Sequence, residues 1–434
     1  MKKVNQSQLT RRSFMGSMAA ASTFALARAQ EGRPQRRQTI QPQAPDGRPL
    51  KAGLIGCGGR GTGAATNFLD AAPNLQIVAL ADTFQDRVDR TRQYLKEQRG
   101  QEISEARCFV GFDAYQKLID SDVDVVLQAT PPHFRPQHFV AIVEAEKHAF
   151  LEKPLGVDPV GARQIMQTAE KAKSKGLSVM TGTQLRRDLG RIEAYKRVQD
   201  GAIGDVLAIR CIRNQGALWY RDRQEGWSDM EYMIRDWVNW TWLSGDFIVE
   251  QFIHQLDQIN WFMGSHPIAA VGMGGRARRP TGDQYDFFAV DYEFPGGVHM
   301  QSTTRQLNGC TNVRAEMLIG TKAACDCTGK LYDLDGKLVW QYEGPENNPI
   351  VQEHVDLVAA IRSDKPVNTV KETAISTLVA VMGRDSAYSG DEVRWDDLVN
   401  SQVRLGPTEY AMGPVAIEAT PPVPGVDQGA PRRA

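Results

Sequence analysis

Apolar runs and amphipathic segments alternate along the first half of the chain. Apolar runs predict one strand that ends at Gly56 and further strands at residues 75–81, 123–129, 148–152 and 178–183. Charged or amphipathic segments at residues 85–99, 137–146 and 158–175 predict helices between these strands. Because parallel strands need such crossover connections, the alternation predicts an α/β fold with a doubly wound parallel sheet.

The pattern changes in the second half of the chain. Strand-like segments follow one another at residues 206–214, 268–275, 287–294, 298–304, 314–320 and 338–342, and many are joined by turns rich in Gly, Pro or Asp. They predict a second α/β domain on an open, mostly antiparallel sheet, through which we expect the chain to form a homo-oligomer. One helix is predicted at residues 246–263 and a last one at residues 372–388, which is expected to pack back on the first domain.

These patterns divide the chain into five segments. A signal peptide is predicted at residues 1–29 and a flexible leader, rich in Gln, Arg and Pro, at residues 30–49. The parallel-sheet domain is predicted at residues 50–180, and the second domain at residues 181–400. Residues 401–434 contain many prolines and are expected to form an extended arm outside the core.

The N-terminal residues resemble a twin-arginine export signal. Arg11-Arg12 precede a run of small apolar residues, and Ala27-Arg28-Ala29 resembles a cleavage site. The apolar run is too short to span a bilayer. We therefore expect a mature protein that begins near Gln30 and lies in the periplasm.

Composition narrows the class of protein. The 434 residues are 41% hydrophobic and 24% charged, which is typical of a globular protein. The formal net charge is −1, and loss of residues 1–29, with five basic and no acidic side chains, takes it to −6. With no basic block in the body of the chain, we expect no nucleic-acid partner. The six cysteines have no zinc-site spacing, so we expect no metal site and leave their pairing open.

A glycine-rich loop follows the first strand. Gly56 permits a tight turn, Gly58 permits a pyrophosphate to approach the backbone, and Gly61 permits the next helix to pack close to the strand. Asp82 ends the second strand, 21 residues after Gly61, where an acidic side chain can bind a ribose 2′-hydroxyl. The pattern therefore predicts a dinucleotide site with NAD preferred over NADP. Gly59 and Arg60 of the same loop are further candidates, although Arg60 fits a solvated loop position equally well.

Four motifs together resemble one family. The glycine loop, Thr130-Pro131-Pro132, Glu152-Lys153-Pro154 and the helix with His254 occur in the order found in the glucose–fructose oxidoreductase/inositol dehydrogenase (Gfo/Idh/MocA) family, over about residues 50–400. The resemblance implies a Rossmann domain followed by an α/β domain with an open sheet. It also implies that Thr130, Pro131 and His133 lie near the nicotinamide ribose, and that Glu152 and Lys153 contact the cofactor.

Lys153 is the leading catalytic candidate. It follows a strand, at the sheet edge where doubly wound folds bind their ligands. Oxidation of a secondary alcohol needs a group that accepts the hydroxyl proton, and a partly buried lysine can serve. The family resemblance implies that this lysine contacts both nicotinamide and substrate. The alternative is a surface lysine that merely precedes a proline.

His254 is the second candidate. Glu250, His254 and Asp257 have the i, i+4 and i+7 spacing of one helix face, so Glu250 is expected to orient the imidazole. The family has Asp-x-x-x-His here, as an acid–base pair, whereas this chain has Glu250 in the aspartate position and Phe252 where many members have glycine.

Other side chains were assigned by type and position. Asp257, Arg235 and Asp236 are candidates for binding substrate hydroxyls, and His138 is expected to pack its own helix. Aromatic side chains suit the C–H faces of sugars, but we assign most of the tryptophans to the core. These tryptophans are Trp219, Trp227, Trp237, Trp240, Trp242 and Trp261.

Three functions fit these observations. The first is an exported NAD(P)-dependent oxidoreductase that transfers a hydride between nicotinamide and a hydroxyl carbon of a sugar, sugar derivative or cyclitol. The second is a glycosidase or lyase that oxidises its substrate transiently and retains its cofactor. The third is a sugar- or nucleotide-binding protein without catalysis. Release of aglycone without net NADH distinguishes the second from the first, and absence of turnover favours the third.

Replacement of both Arg11 and Arg12 by lysine is expected to block export, because the pathway recognises the arginine pair. The variant should accumulate in the cytoplasm as unprocessed precursor, as measured by fractionation and immunoblotting. The double variant Lys2→Arg/Lys3→Arg, which leaves the pair intact, is the matched control. Normal processing of the variant would contradict the twin-arginine assignment.

Overall fold

The computed structural model describes residues 39–425, which form two large sheets with helices packed on them and a small sheet of two short strands, Thr39–Ile40 and Glu346–Asn347. The first 38 residues, with the predicted signal peptide, lie outside the described part, as do residues 426–434. The strands are β1 Thr39–Ile40, β2 Leu50–Ile55, β3 Leu75–Asp82, β4 Cys108–Val110, β5 Val125–Gln128, β6 His148–Leu151, β7 Val179–Thr181, β8 Val206–Gln215, β9 Ala269–Gly275, β10 Phe287–Phe294, β11 Val298–Gln306, β12 Val313–Gly320, β13 Ala324–Cys325, β14 Lys330–Tyr332, β15 Leu338–Gln341, β16 Glu346–Asn347 and β17 Val393–Arg394.

The helices fall between and after these strands. They are α1 Gly59–Asp70, α2 Gln85–Arg99, α3 Ala114–Ile119, α4 Arg135–Glu144, α5 Pro159–Ser174, α6 Leu189–Gln199, α7 Asp229–Arg235, α8 Thr241–Ser244, α9 Phe247–Glu250, α10 Ile253–Met263, α11 Pro349–Arg362, α12 Val370–Ser389 and α13 Trp395–Asn400. Within residues 39–425, none of them is long and apolar enough to cross a membrane.

The first sheet is parallel throughout. Its strand order is β4-β3-β2-β5-β6-β7, so the chain winds outwards in both directions from β2 and β5. Every residue of β5 is buried, as expected for a strand covered by helices on both faces. The predicted doubly wound sheet is confirmed. The carboxyl ends of β2, β5 and β6 meet at one edge, where such folds bind ligands.

The second sheet has nine strands in the order β15-β14-β13-β12-β8-β11-β10-β9-β17. Only β8 and β11 pair in parallel, and all other neighbours are antiparallel. Its inner face shares a core with α10 and α12, represented by Leu256, Leu378 and Tyr292. The prediction of an open, mostly antiparallel sheet is therefore confirmed.

The helix predicted at residues 246–263 is broken in the structure. The α9 helix ends at Glu250 and α10 starts at Ile253. Between them the Phe252 amide donates to the carbonyl of Phe247, five residues back, which interrupts the regular i to i−4 pattern. The single-helix prediction was therefore wrong, and Glu250 and His254 do not lie one turn apart on the same helix.

Two helices after the second sheet return to the parallel sheet. The α11 helix, which the sequence analysis did not predict, buries Val351, Leu357 and Val358 in the same core as Leu50 and Phe68. The α12 helix packs back as expected, since Thr377 accepts a hydrogen bond from the Leu155 amide (3.1 Å). The two domains therefore share cores as well as a boundary.

The proline-rich tail has no helix or strand between residues 401 and 425, but it is not a free arm. The Leu405 amide donates to Asp158 Oδ2 (2.9 Å), and Tyr410 hydrogen-bonds with His133 (2.7 Å). Leu405 and Tyr410 also pack against a buried cluster that contains Trp242. The described part of the tail is thus extended, as predicted, but bound to the folded body.

His354 generates a prediction about stability and pH. Its ring stacks on Phe150 (centroids 4.0 Å apart), and neither ring nitrogen has a hydrogen-bond partner. Burial lowers the pKa of His354 to about 3. The unfolded chain therefore binds a proton that the folded chain excludes, and the free energy of unfolding must fall as the pH drops through the ordinary histidine range.

Replacement of His354 by phenylalanine removes this titration and keeps a ring in the site. Between pH 7.5 and 5.5 the wild type is expected to lose about 1 kcal/mol more unfolding free energy than His354→Phe. Urea unfolding of both proteins at both pH values measures the difference. The contributions of all other titratable groups cancel when the two proteins are compared. Parallel pH dependence of the two proteins would contradict the assignment.

Candidate functional site

A first cavity lies along the carboxyl edge of the parallel sheet. It spans about 710 Å³, part of which is open to solvent, and is bordered by the glycine loop, the end of β3 and the turn after β5. Five predicted cofactor residues lie in its wall: Gly56, Gly58, Asp82, Thr130 and Pro131. The α7 helix and the turn after it close the opposite side with Ile234 and Trp237. The cavity therefore lies between the two domains.

The glycine loop has the geometry that a dinucleotide requires. Gly56 has a φ of 96°, and a side-chain carbon on Gly61 would lie 1.8 Å from the Gly56 carbonyl oxygen. Gly61 thus permits the close approach of α1 to β2, as predicted. Gly58, the N-cap residue, has no side chain that could cap the helix. The backbone amides at the start of α1 can therefore donate to a phosphate. The buried hydroxyl of Thr130, whose backbone lies against Gly56, has no partner.

Asp82 and Arg87 place opposite charges in this cavity. Asp82 accepts hydrogen bonds from the Cys57 amide (2.7 Å) and the Phe84 amide (3.0 Å), which fixes the carboxylate beside the glycine loop. Burial raises the pKa of Asp82, while these two amide donors lower it. Arg87 lines the same cavity. A ribose hydroxyl would favour Asp82, whereas a phosphate would favour Arg87.

A second cavity of about 960 Å³ adjoins the first, and Ala129 and Trp237 line both. Five predicted site residues lie in its wall: Arg60, Glu152, Lys153, Glu250 and His254. Residues from the two domains thus meet around one space. We refer to it as the catalytic cavity.

Lys153 and Glu250 form a buried ion pair across the domain boundary. Lys153 Nζ donates to Glu250 Oε1 (2.8 Å) and to the Glu250 carbonyl oxygen (2.5 Å). Burial alone would raise the pKa of Glu250, but the Lys153 charge and hydrogen bond hold it below its ordinary value. A lysine ammonium has three N–H donors, so one remains for a ligand in the cavity.

Glu250 is the partner of Lys153, which corrects the expectation that it orients His254. Its second oxygen, Oε2, accepts a hydrogen bond from the Gln251 side chain rather than from the imidazole. The physical reason is the helix break after Glu250, which removes the i to i+4 geometry. Glu250 therefore acts on the site through the lysine.

His254 is held neutral by its surroundings. Burial is the first cause, and the charges of Lys153, Arg213, Arg314 and Arg191 add to it, so the pKa of His254 is lowered well below its usual value. The imidazole is uncharged at neutral pH and can accept a proton from a ligand in the catalytic cavity.

Arg135 is a site residue that the sequence analysis missed. Its guanidinium donates to the carbonyl of Thr130 (3.1 and 2.7 Å) and to that of Pro154 (2.6 Å), so it joins the turns after β5 and β6. Burial lowers the pKa of Arg135 to about 10, and it stays charged at neutral pH. Its place at the start of α4, just after the Thr-Pro-Pro turn, was the available signal.

Four further predicted cofactor residues lie outside the wall of the first cavity. Arg60 Nε donates to Glu152 Oε1 (2.6 Å), so both side chains lie in the wall of the catalytic cavity. The His133 ring packs edge-on against Trp242 and hydrogen-bonds with Tyr410, and it lines neither cavity. Gly59 begins α1. The side chain of His138 stacks on Tyr115 (4.0 Å), which agrees with its expected packing role.

The predicted substrate contacts outside the Lys153 and His254 pair are not supported. Asp257 forms a two-bond ion pair with Arg186 (2.9 Å each) and also accepts from Ser376. Asp236 is fully buried and accepts from the Arg221 amide (2.8 Å). Neither aspartate lines the catalytic cavity, because both carboxylates are engaged in the interior. We reassign them to structural roles.

Arg235 also lies outside the catalytic cavity. Its guanidinium bonds Asp86 (3.0 Å) and Glu231 (2.9 Å) and lies over the ring of Phe84, beside the first cavity. Among the tryptophans, Trp240 and Trp242 are core residues, as expected. Trp219 and Trp237 instead line the catalytic cavity, with ring centroids 6.2 Å apart.

Fold and site together define the class as an oxidoreductase with an NAD-binding Rossmann domain. A family model described as "Oxidoreductase family, NAD-binding Rossmann fold" matches residues 50–181, and one described as "GFO/IDH/MocA C-terminal domain" matches residues 192–325. Together the two matches cover more than half of the chain. The chain belongs to the Gfo/Idh/MocA family.

Curated relatives have different activities. The chain is 23% identical to a 2,7-anhydro-N-acetylneuraminate hydratase of Escherichia coli, over 57% of this chain and 59% of that protein. It is 23% identical to scyllo-inositol 2-dehydrogenase (NAD(+)) of Bacillus subtilis, over 54% and 60%. It is 28% identical to an alpha-N-acetylgalactosaminidase of Shewanella oneidensis, over 38% and 35%. The chain thus spans about three fifths or less of the length of these relatives.

Solved structures share the fold. Aldose–aldose oxidoreductase from Caulobacter crescentus, complexed with glycerol, superposes with a TM-score of 0.63 at 19% identity and covers 80% of this chain and 99% of that one. Scyllo-inositol dehydrogenase from Lactobacillus casei, with NAD(H) and scyllo-inositol, gives 0.61 at 19% identity, with the same coverage of 80% and 99%. At this identity the likeness concerns the fold alone.

The position of Asp82 predicts tighter binding of NAD than of NADP, because a 2′-phosphate would meet a carboxylate. Asp82→Asn removes the charge and keeps an acceptor for the Cys57 amide, so it is expected to reduce the preference by about tenfold. Calorimetric titration of both proteins with both nucleotides measures this. Tighter binding of NADP by the wild type would contradict the prediction and point to Arg87 or Arg90 as the phosphate ligand.

Proposed function

We propose that this protein is an exported NAD-dependent oxidoreductase that acts on a CH–OH group of a sugar, a sugar derivative or a cyclitol. The observation that carries the proposal is the arrangement of Lys153 and His254, from different domains, in the wall of one cavity that adjoins the dinucleotide cavity. Export rests on the twin-arginine pattern in residues 1–29.

Each side chain has a distinct task in this proposal. NAD, when bound, supplies the hydride acceptor. Lys153 directs its remaining N–H at the substrate oxygen and stabilises the negative charge that grows there. His254, which is neutral, is placed to take the hydroxyl proton. Glu250 holds Lys153 in position and balances its charge in the buried site.

The substrate class is inferred from the cavity and the relatives. Trp219 and Trp237 present aromatic faces, which suit the C–H faces of a sugar or cyclitol ring. Gln184 and Gln251 offer amides for hydroxyl groups. The names of the Bacillus subtilis and Escherichia coli relatives, an inositol dehydrogenase and a sialic acid hydratase, favour the same class.

A second candidate function is cleavage or elimination assisted by transient oxidation, with the cofactor retained. The proline-rich tail favours it. Tyr410 of the tail stacks on Phe112, which lines the first cavity. On the opposite side of that cavity, the Met230 amide of α7 donates to the carbonyl of Gly413 in the tail (3.1 Å). Release of the nucleotide would have to break these contacts. A reaction without net oxidation regenerates its NAD in the site and therefore needs no such release. Two relatives, a 2,7-anhydro-N-acetylneuraminate hydratase and an alpha-N-acetylgalactosaminidase, are named for reactions without net oxidation.

A homo-oligomer is also part of the proposal. The outer face of the nine-stranded sheet exposes Val271 and Met273 on β9 and Phe287 on the adjacent strand β10. Contiguous exposed apolar side chains of this kind favour a protein interface. We therefore propose that a second copy of the chain covers this face.

The proposed reaction is tested by turnover of a panel of inositols, aldoses and nitrophenyl glycosides with the purified protein. Net NADH formation, measured by absorbance, supports the dehydrogenase. Release of nitrophenol at constant NADH supports the second candidate. Tight binding of a panel compound without turnover would contradict both and identify a binding protein.

Three variants then test the separate roles of Lys153, His254 and Glu250. Lys153→Ala and His254→Ala are each expected to lose on the order of 10²–10⁴ in the rate of hydride transfer. Glu250→Gln should lose less, because its amide oxygen still accepts a hydrogen bond from Lys153. Some loss is expected because the negative charge that balances Lys153 is gone. Single-turnover kinetics with bound NAD measure all three rates.

The matched control is Lys175→Ala, which removes a surface lysine paired with Glu146 and leaves the site intact. It should react like the wild type. Near-normal transfer by Lys153→Ala would refute the role of the lysine and leave His254 as the leading base. Near-normal transfer by His254→Ala would instead make Lys153 the proton acceptor.

A further inference from the structure

A carboxylic acid that none of the motifs includes lies in the wall of the catalytic cavity. Glu353, on α11, lines this cavity and is 2% exposed. Its Oε1 atom is buried and has no hydrogen-bond partner. A glutamate is almost never buried without a partner, because loss of its hydration is costly. The group therefore needs a partner that enters the cavity.

The neighbours of Glu353 are already engaged. Arg60, which lines the cavity with it, donates to Glu152, and Arg187 forms an ion pair with Asp356 (2.7 Å). Burial first, and then repulsion by Glu152 and Asp356, raise the pKa of Glu353 well above its ordinary range, against the opposite effect of Arg60 and Arg187. The site thus favours the protonated form of Glu353, a neutral acid with one O–H donor and one carbonyl acceptor.

A neutral acid of this kind matches a primary amide. The amide N–H faces the acid carbonyl, and the acid O–H faces the amide carbonyl, so two hydrogen bonds form side by side. Arg60, in the first turn of α1, and Glu152, which directly precedes Lys153, line the cavity with Glu353, and their charges act on its carboxyl group. A dinucleotide that ran from the glycine loop towards Lys153 would bring its carboxamide towards these residues.

We infer that Glu353 binds the carboxamide of the nicotinamide dinucleotide and thereby fixes the face that the ring presents to the substrate. Glu353 is thus a positioning residue at the cofactor end of the catalytic cavity. The inference rests on NAD being the cofactor, and it does not depend on which substrate is oxidised.

The test is a set of binding measurements with three nucleotides. NAD carries the carboxamide, acetylpyridine adenine dinucleotide carries a methyl ketone in its place, and ADP-ribose lacks the ring. Glu353→Ala is expected to weaken NAD binding by about tenfold, the worth of a buried hydrogen-bond pair, and to leave ADP-ribose binding unchanged. The variant should also bind the ketone and the amide equally, whereas the wild type prefers the amide.

Two variants control for other effects. Glu353→Gln keeps a neutral donor and acceptor and should retain most of the NAD affinity and the preference for the amide. Gln352→Ala, a neighbour on α11 whose side chain bonds Asp356 and does not line the cavity, should bind like the wild type. If Glu353→Ala is too unstable, Glu353→Asp withdraws the acid by one methylene and is expected to show the same loss.

Equal weakening of NAD and ADP-ribose binding would overturn the inference, because it would indicate a general disturbance of the site. Unchanged NAD binding combined with a raised KM for the substrate would also overturn it and assign Glu353 to the substrate instead. Failure of the wild type to bind ADP-ribose would contradict the dinucleotide assignment itself, which separates that failure from one at Glu353.

Discussion

The buried ion pair of Lys153 and Glu250 is the interaction on which the site depends. Two charges removed from water are stable only when their geometry is good and their remaining hydrogen-bonding groups are satisfied. Here Nζ bonds both the carboxylate and the carbonyl of Glu250, and Gln251 satisfies the second oxygen. Because Lys153 follows β6 and Glu250 ends α9, this contact joins the two domains at the place where the reaction is proposed.

The helix break after Glu250 is stabilised by the same positive charge that keeps His254 neutral. A broken helix leaves carbonyl groups without partners. Arg213, from β8 of the second sheet, donates to the carbonyl of Gln251 (2.9 Å) and to the side chain of Gln255 (3.1 Å). Its charge also contributes to the lowered pKa of His254. Arg213 thus contributes both to the geometry of the break and to the protonation state of the histidine.

The local sequence pattern was sufficient to predict the parallel sheet, the glycine loop and the place of Lys153 after a strand, because each follows from a few consecutive residues. The pairing of Glu250 with His254 was wrong because helix spacing assumes a continuous helix, and the break depends on Arg213, distant in sequence. Strand β13 was not predicted, because a strand of two residues is too short to show an alternation of apolar and polar positions. Helix α11 was overlooked although Asn348 and Pro349 form an ordinary helix start, so Glu353 was overlooked with it.

The two proposed reactions differ in the number of protons they require the site to handle. Net oxidation of an alcohol needs one acceptor, for the hydroxyl proton. Elimination next to a transient ketone needs a second group, which takes a proton from carbon while the oxygen is stabilised. The catalytic cavity contains one donor and one acceptor: Lys153 with one free N–H and His254 as a neutral imidazole. Because an ammonium group cannot accept a proton, His254 is the acceptor for the hydroxyl proton in both reactions, and elimination would require it to release that proton before it takes one from carbon.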